Sequence, residues 1–367
     1  MDRVRRRLVD AESLAGAVVA ESDGIVDDVV FDRLRRQVEA ELVGAGPLEA
    51  LLAVEGVTDV LVNAPDSVWI DRGRGMERAA VRFSSDSEVR RLACRLAAGV
   101  GRRLDDAMPF VDGVLSDGTR LHAVLPPLTE HTTLSLRVLG RRRYDLDGLA
   151  RSGSLPAEVR TLLGELVRGR LSFVITGGTG SGKTTLLAAL IAEVPADERI
   201  LVIEDAAELA LAHPHVVRLV PRLANVEGAG AVGVRDLVRQ ALRMRPDRLI
   251  VGEFRGAEFV ELLVALNTGH RGSAATMHAN TAADVPARFR ALGALAGLPS
   301  AAVASLAGPA IDVVVHLDRS RGLRRVADIS VLQVEDGELR CVPAWRHDAG
   351  WVAGAQRLDA LLGEVDP

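Results

Sequence analysis

Gly177-Gly178-Thr179-Gly180-Ser181-Gly182-Lys183-Thr184 completes the pattern Gly-x4-Gly-Lys-Ser/Thr, and the residues on either side read as strand, loop and helix. Leu171-Ser172-Phe173-Val174-Ile175-Thr176 is a short apolar, partly β-branched run bounded by glycines, as a buried strand should be. Thr184-Thr185-Leu186-Leu187-Ala188-Ala189-Leu190-Ile191 favours helix. In such an arrangement the glycines let the backbone approach an anion closely. Loop N–H groups and the positive helix end then cradle a β-phosphate, and the Thr184 hydroxyl is left for Mg²⁺. Thr185 reads either as a further contact or as a plain helix residue. Lys183 is the only lysine among 45 basic residues, all others being arginine. A compact ammonium nestles among phosphate oxygens as a point charge, whereas a planar guanidinium is bulkier and wants a bidentate fork. The expected ligand is therefore a nucleotide.

Composition bounds the rest. A length of 367 residues suggests two domains, and 48% hydrophobic with 26% charged residues is globular. A net charge of −5 and 3% aromatics argue against a dedicated nucleic-acid surface. The clusters Arg3-Val4-Arg5-Arg6-Arg7 and Arg141-Arg142-Arg143 read as solvated charge or as contacts to acidic lipid or phosphate. Cys94 and Cys341 form no CxxC pair, so no structural zinc or disulfide framework is expected and a reducing, cytoplasmic compartment fits. No signal peptide is visible. The most apolar stretch, Leu298 to Leu317, is broken by Pro299, Pro309, Asp312 and His316, so any membrane association is expected to be peripheral.

Along the chain, residues 1–140 read as a smaller α+β domain, 141–154 as a linker, and 155–367 as an α/β domain ending in two or three edge strands over Ile311 to Pro343. In the first domain a helix is expected from Val29 to Val43 and another within Val81 to Gly99. Strands are expected at Val57–Asn63, Val68–Asp71, Arg120–Leu125 and Thr133–Val138. In the second, Val159, Leu162, Leu163, Leu166 and Val167 form one helical stripe, and Val234, Leu237, Val238, Ala241 and Leu242 another. The strands Ile200-Leu201-Val202-Ile203 and Leu249-Ile250-Val251-Gly252 end on Glu204-Asp205 and Glu253, where an open α/β sheet binds its ligand.

ATP hydrolysis requires an oriented, partly deprotonated water and a fixed metal shell. Glu253 is the candidate for polarising that water. Glu204, Asp205 and Glu208 are candidates around the Mg²⁺, with Glu204 and Thr184 nearest the metal, although Glu204 or Glu208 can equally cap the following turn.

Four motifs together resemble the secretion-superfamily ATPases, and within them the TadA/CpaF group of tight-adherence pili, close to the VirB-type ATPases. They are the phosphate loop Gly177 to Thr185, the acidic box Ile203-Glu204-Asp205-Ala206-Ala207-Glu208-Leu209, the second acidic segment Arg243 to Gly256, and a histidine box. That box runs from Asn267-Thr268-Gly269-His270-Arg271-Gly272-Ser273 to Thr276-Met277-His278-Ala279-Asn280. The resemblance implies a RecA-like P-loop domain, a homo-hexameric ring using ATP and Mg²⁺, and an inner-membrane platform partner of a pilus or secretion system. It implies arginines at the ATP site, for which Arg120, Arg137, Arg245 and Arg255 match, against the plain alternative of surface charge. It also makes His278, which alone reads as a strand-end residue, a γ-phosphate sensor. Phe254 and Met277 depart from the family pattern as apolar swaps expected to alter packing only. A conjugation-type transfer ATPase, a nucleic-acid motor and a non-hydrolysing nucleotide sensor remain the other readings.

Overall fold

A computed structural model describes residues 44–73, 75–138, 144–206, 208–222, 229–320 and 323–363. The helix expected at Val29–Val43 and both arginine clusters lie outside the described residues. The chain divides into two compact units, Met1–Gly140 and Arg141–Pro367.

In the first unit a short helix α1 (Glu49–Leu52) precedes β1 (Asp59–Ala64), β2 (Ser67–Asp71), β3 (Met76–Arg78), β4 (Phe110–Val114), β5 (Arg120–Val124) and β6 (Thr133–Arg137). The strands form one antiparallel sheet in the order β3-β2-β1-β6-β5-β4. Helix α2 (Asp86–Gly99) covers it through Val89, Leu92, Ala93, Leu96 and Ala97, the i, i+3, i+4 stripe of an amphipathic helix. The Asp86 carboxylate ties the helix start to the sheet by accepting from the Thr132 N–H at 2.8 Å and hydroxyl at 2.9 Å.

The second unit opens with α3 (Leu146–Arg151), inside the stretch read as a linker, and its Leu146 and Leu149 are buried in the unit's core. The nine-stranded sheet contains β7 (Phe173–Gly177), β8 (Ile200–Ile203), β9 (Val216–Leu219), β10 (Arg248–Val251), β11 (Ala274–Met277), β12 (Val313–Ser320), β13 (Leu323–Glu335), β14 (Glu338–Arg346) and β15 (Gly350–Trp351). Its order is β15-β14-β13-β12-β7-β11-β10-β8-β9, parallel from β12 to β9 and antiparallel beyond. Helices α4 (Ala157–Arg168) and α5 (Lys183–Ile191) join α3 against one face. Helices α6 (Val234–Ala241), α7 (Glu258–Leu266), α8 (Val285–Leu295) and α9 (Ser300–Ala310) pack on the other. A last helix, α10 (Ala355–Gly363), buries Leu358. Successive residues of β7 feed opposite cores, Phe173 and Ile175 one and Val174 the other.

The C-terminal strands are not all edge strands as expected. β12 sits between β7 and β13, and its run Val313-Val314-Val315 is fully buried, as a strand covered on both faces requires. With α9 it divides the Leu298–Leu317 stretch, and among the described residues no single helix is long and apolar enough to cross a membrane.

At the opposite end of the sheet from the phosphate loop, Arg248 is 1% exposed and forks onto Glu198 at 2.6 and 3.2 Å. Removing one partner of a buried pair leaves an uncompensated charge. Arg248→Ala is therefore expected to cost about 3–5 kcal/mol, read by denaturant unfolding of the full chain.

Candidate functional site

The site is assembled at the C-terminal ends of adjacent parallel strands. In register, Thr176 faces Met277 and His316, Ala275 faces Val251, and Val251 faces Ile203. The residues that follow these strand ends, His278, Glu253 and Glu204, are thus delivered beside the phosphate loop without long-range design of any loop.

Gly177, Gly180 and Gly182 have φ of 149°, 71° and 101°. At Gly177 the space is also closed, since a Cβ would lie 2.5 Å from the Leu317 carbonyl and 2.6 Å from Ser181 Oγ. Gly182 begins α5 with no side-chain cap, so the first-turn N–H groups are not claimed by a capping side chain. Gly178 and Thr179 complete the loop, and Thr184 and Thr185 stand half-buried on the first turn. Ser181 is 3% exposed and its hydroxyl has no hydrogen-bond partner among the described residues. A buried orphan beside uncapped amides fits an anion at this loop.

Lys183 is buried, and its Nζ donates to the carbonyls of Gly177 at 2.9 Å and Gly178 at 3.0 Å. Desolvation pulls its pKa down, and the nearby Glu253 carboxylate opposes that. His278 Nδ1 lies 3.3 Å from the same ammonium, and His278 Nε2 lies 2.8 Å from Glu253 Oε1. The second contact has ion-pair distance without hydrogen-bond alignment, so Glu253 Oε1 is a buried oxygen lacking a hydrogen bond. Its other oxygen, Oε2, accepts from Arg255 at 2.5 Å. Glu253, then Asp205 and Glu208, raise the pKa of Arg255. Lys183, His278, Glu253 and Arg255 therefore form one continuous row of polar contacts.

Gly252 makes that row possible, because a Cβ there would lie 2.9 Å from the Glu204 Cβ. Thr276 Oγ1 donates to the Gly252 carbonyl at 2.5 Å and fixes the strand end from β11. Glu204, expected near the metal, sits where the acidic loop begins. It is 5% exposed, its Oε2 accepts from the Leu209 N–H at 3.0 Å, and its Oε1 lies 3.5 Å from Arg218. Burial raises its pKa, against a downward pull from the Leu209 N–H and the Arg218 charge. Phe254, the family departure, stacks in a cluster with Phe259 and Phe289 at ring distances of 5.2 and 6.2 Å, so the aromatic is matched by its neighbours.

In the first unit Arg120 and Arg137 are directly opposite each other on β5 and β6, and Arg137 Nε lies 3.0 Å from Asp59. Arg245 is exposed and holds φ 53°.

His316 was not among the expected site residues. It is 7% exposed, bonds Thr176 Oγ1 at 2.9 Å and also pairs with the Asn280 backbone, so one imidazole joins the phosphate-loop strand to the histidine box. The available signal was a polar residue interrupting the valine run of β12.

The matched family model is the type II/IV secretion system protein, over residues 41–320. The chain belongs to that family. It is 55% identical over 335 residues to a putative conjugal transfer protein of Mycobacterium tuberculosis, covering 89% of this chain and 95% of that one. It is 32% identical over 327 residues to the type IV secretion system protein VirB11 of Brucella suis, covering 81% of this chain and 90% of that one. A crystal structure of the pilus retraction motor PilT with bound ADP matches with TM-score 0.56 and 22% identity, covering 87% of each chain, and shows the shared fold of an N-terminal unit followed by a RecA-like one. The protein is a secretion-superfamily ATPase, a nucleotide-binding enzyme of the type II/IV secretion family.

Burial lowers the pKa of His316 below its ordinary 6.5, against an upward pull from Asp328, Asp318, Asn280 and Asp284. The neutral ring thus contributes stability that is complete above about pH 6.5 and is lost as pH falls through the lower folded value. Thermal melting across this range should show the loss in the native chain and a smaller one in His316→Gln.

Proposed function

We propose that this chain hydrolyses Mg²⁺-ATP in a homo-hexameric ring at the cytoplasmic face of the membrane, driving pilus assembly or type II/IV-like secretion with an inner-membrane platform protein. The observation that carries the hydrolytic reading is Glu253 Oε1, a buried carboxylate oxygen without a hydrogen bond, linked through His278 to the ammonium of Lys183. A base must lie within reach of the water it activates. Glu204 Oε1 is likewise buried without a hydrogen bond, but Glu253 is the carboxylate that contacts His278 and acts on the charge of Lys183.

Bound Mg²⁺-ATP supplies the phosphoryl group and metal charge on its oxygens. The loop from Gly177 to Gly182 then holds phosphate with its amides, Ser181 donates its free hydroxyl, and Lys183 exchanges its two carbonyl contacts for phosphate oxygens. Thr184 would hold the Mg²⁺ through its hydroxyl, since Mg²⁺ keeps most of its waters and takes few protein oxygens. Glu253 accepts the proton of the attacking water, and His278 reports γ-phosphate through the contact it already makes with Lys183. Asp205 and Glu208 hold Arg255 by charge near Glu253.

Arg120 and Arg137 are carried over from the family resemblance as first-unit candidates for meeting phosphoryl charge, and each already has a partner, Arg137 the Asp59 carboxylate at 3.0 Å. The exposed, left-handed Arg245 is a further candidate. A conjugation-type transfer motor is the second reading, favoured by the names of the relatives; stimulation of turnover by DNA would select it.

Glu253→Gln is expected to bind ATP normally while multiple-turnover phosphate release falls by roughly 10²–10⁴. Normal turnover by that variant would remove Glu253 from the reaction. Arg120→Ala with Arg137→Ala should lower kcat by up to about 10³ if they act as fingers. An unchanged kcat would return them to surface charge.

A further inference from the structure

The hairpin of β12 and β13 brings arginine to the rim of the phosphate loop. β12 runs parallel to β7 with Leu317 opposite Gly177, so its last residues, Asp318 to Ser320, continue past the strand that ends in the loop. β13 returns with Leu323, Arg324 and Arg325 opposite Ser320, Arg319 and Asp318. Arg325 is tied down, forking onto Asp318 at 2.9 and 3.2 Å.

Arg324 is placed differently. A Cβ on Gly182 would sit 3.6 Å from Arg324 Cδ and 4.0 Å from its Cβ, so the aliphatic stem lies against the glycine that starts α5. The residue is exposed, and among the described residues its guanidinium has no hydrogen-bond or ion-pair partner. Across the hairpin it faces Arg319. The glycine it covers precedes the uncapped first turn of α5 and follows Ser181, whose 3% exposed hydroxyl has no hydrogen-bond partner among the described residues.

We propose that Arg324 is a further nucleotide-binding residue of this ATPase, contributed by the same chain and pairing with phosphate oxygens common to ADP and ATP. The assignment rests on the nucleotide site described above. Its position decides which phosphates. Gly182 lies at the helix start, where the β-phosphate is cradled, whereas the γ-phosphate side is occupied by Lys183, His278 and Glu253. A guanidinium beside Gly182 adds a charge-assisted fork to the loop amides, the Ser181 hydroxyl and the Lys183 ammonium.

The test is equilibrium binding of ADP and ATP to the full-length chain, carried out in the Glu253→Gln background so that ATP persists. Arg324→Ala should weaken both nucleotides together, by on the order of tenfold or more, and Arg324→Lys should recover part of the loss as a point charge. Arg340→Ala, a distant arginine paired with Glu335 on the same sheet, controls for net charge and should leave both affinities unchanged. The nucleotide-free melting temperature of Arg324→Ala should match that of its parent, since the side chain is exposed. Unchanged ADP affinity in Arg324→Ala would overturn the proposal. So would a loss confined to ATP, which would make Arg324 a γ-phosphate reader. If the parent protein itself bound no nucleotide, the site reading and not this residue would have failed.

Discussion

One desolvated ammonium organises the molecule. Lys183 is buried with two backbone carbonyls as its nearest partners, and burial alone disfavours its charge. The carboxylate of Glu253, relayed by His278, is what keeps a cation tolerable there. That compensation requires three strand ends to converge within a few ångströms, and hence a parallel sheet whose register is fixed on both sides of β7. The loop glycines, the bare Gly252 beside Glu204 and the threonine clasp of Thr276 all serve this convergence.

The same constraint explains the division of labour among carboxylates. Glu253 and Glu204 both follow buried strands, yet they end in different environments. Glu204 is turned to a backbone amide and an arginine, and it holds the acidic loop. Glu253 instead accepts from Arg255 and lies 2.8 Å from His278. Arg255 balances its charge, so the resting carboxylate is held by a partner that substrate charge can compete for.

Much of this was legible in the sequence. Phosphate-loop spacing, the apolar strands Ile200–Ile203 and Leu249–Val251, and the carboxylates ending them depend on local patterns that the structure reproduces. What escaped depends on partners far away in the chain. β4 was missed because Asp112 and Gly113 interrupt its alternation, yet it pairs along β5. β12 was expected at an edge, but only its register with β7 reveals it as central. His316 is one polar residue in an apolar run, and nothing local announces that Thr176 and Asn280 meet it. Glu204 was read by its position at a strand end, whereas its burial is set by Leu209 and Arg218.

This site requires a compact ammonium where every other basic residue in the chain, histidine aside, is arginine. The decisive experiment is multiple-turnover phosphate release by Lys183→Arg, measured beside the native chain in Mg²⁺-ATP. Release should disappear, because a guanidinium cannot occupy the space between the Gly177 and Gly178 carbonyls and still present a point charge to phosphate. Native-like turnover by Lys183→Arg would contradict it.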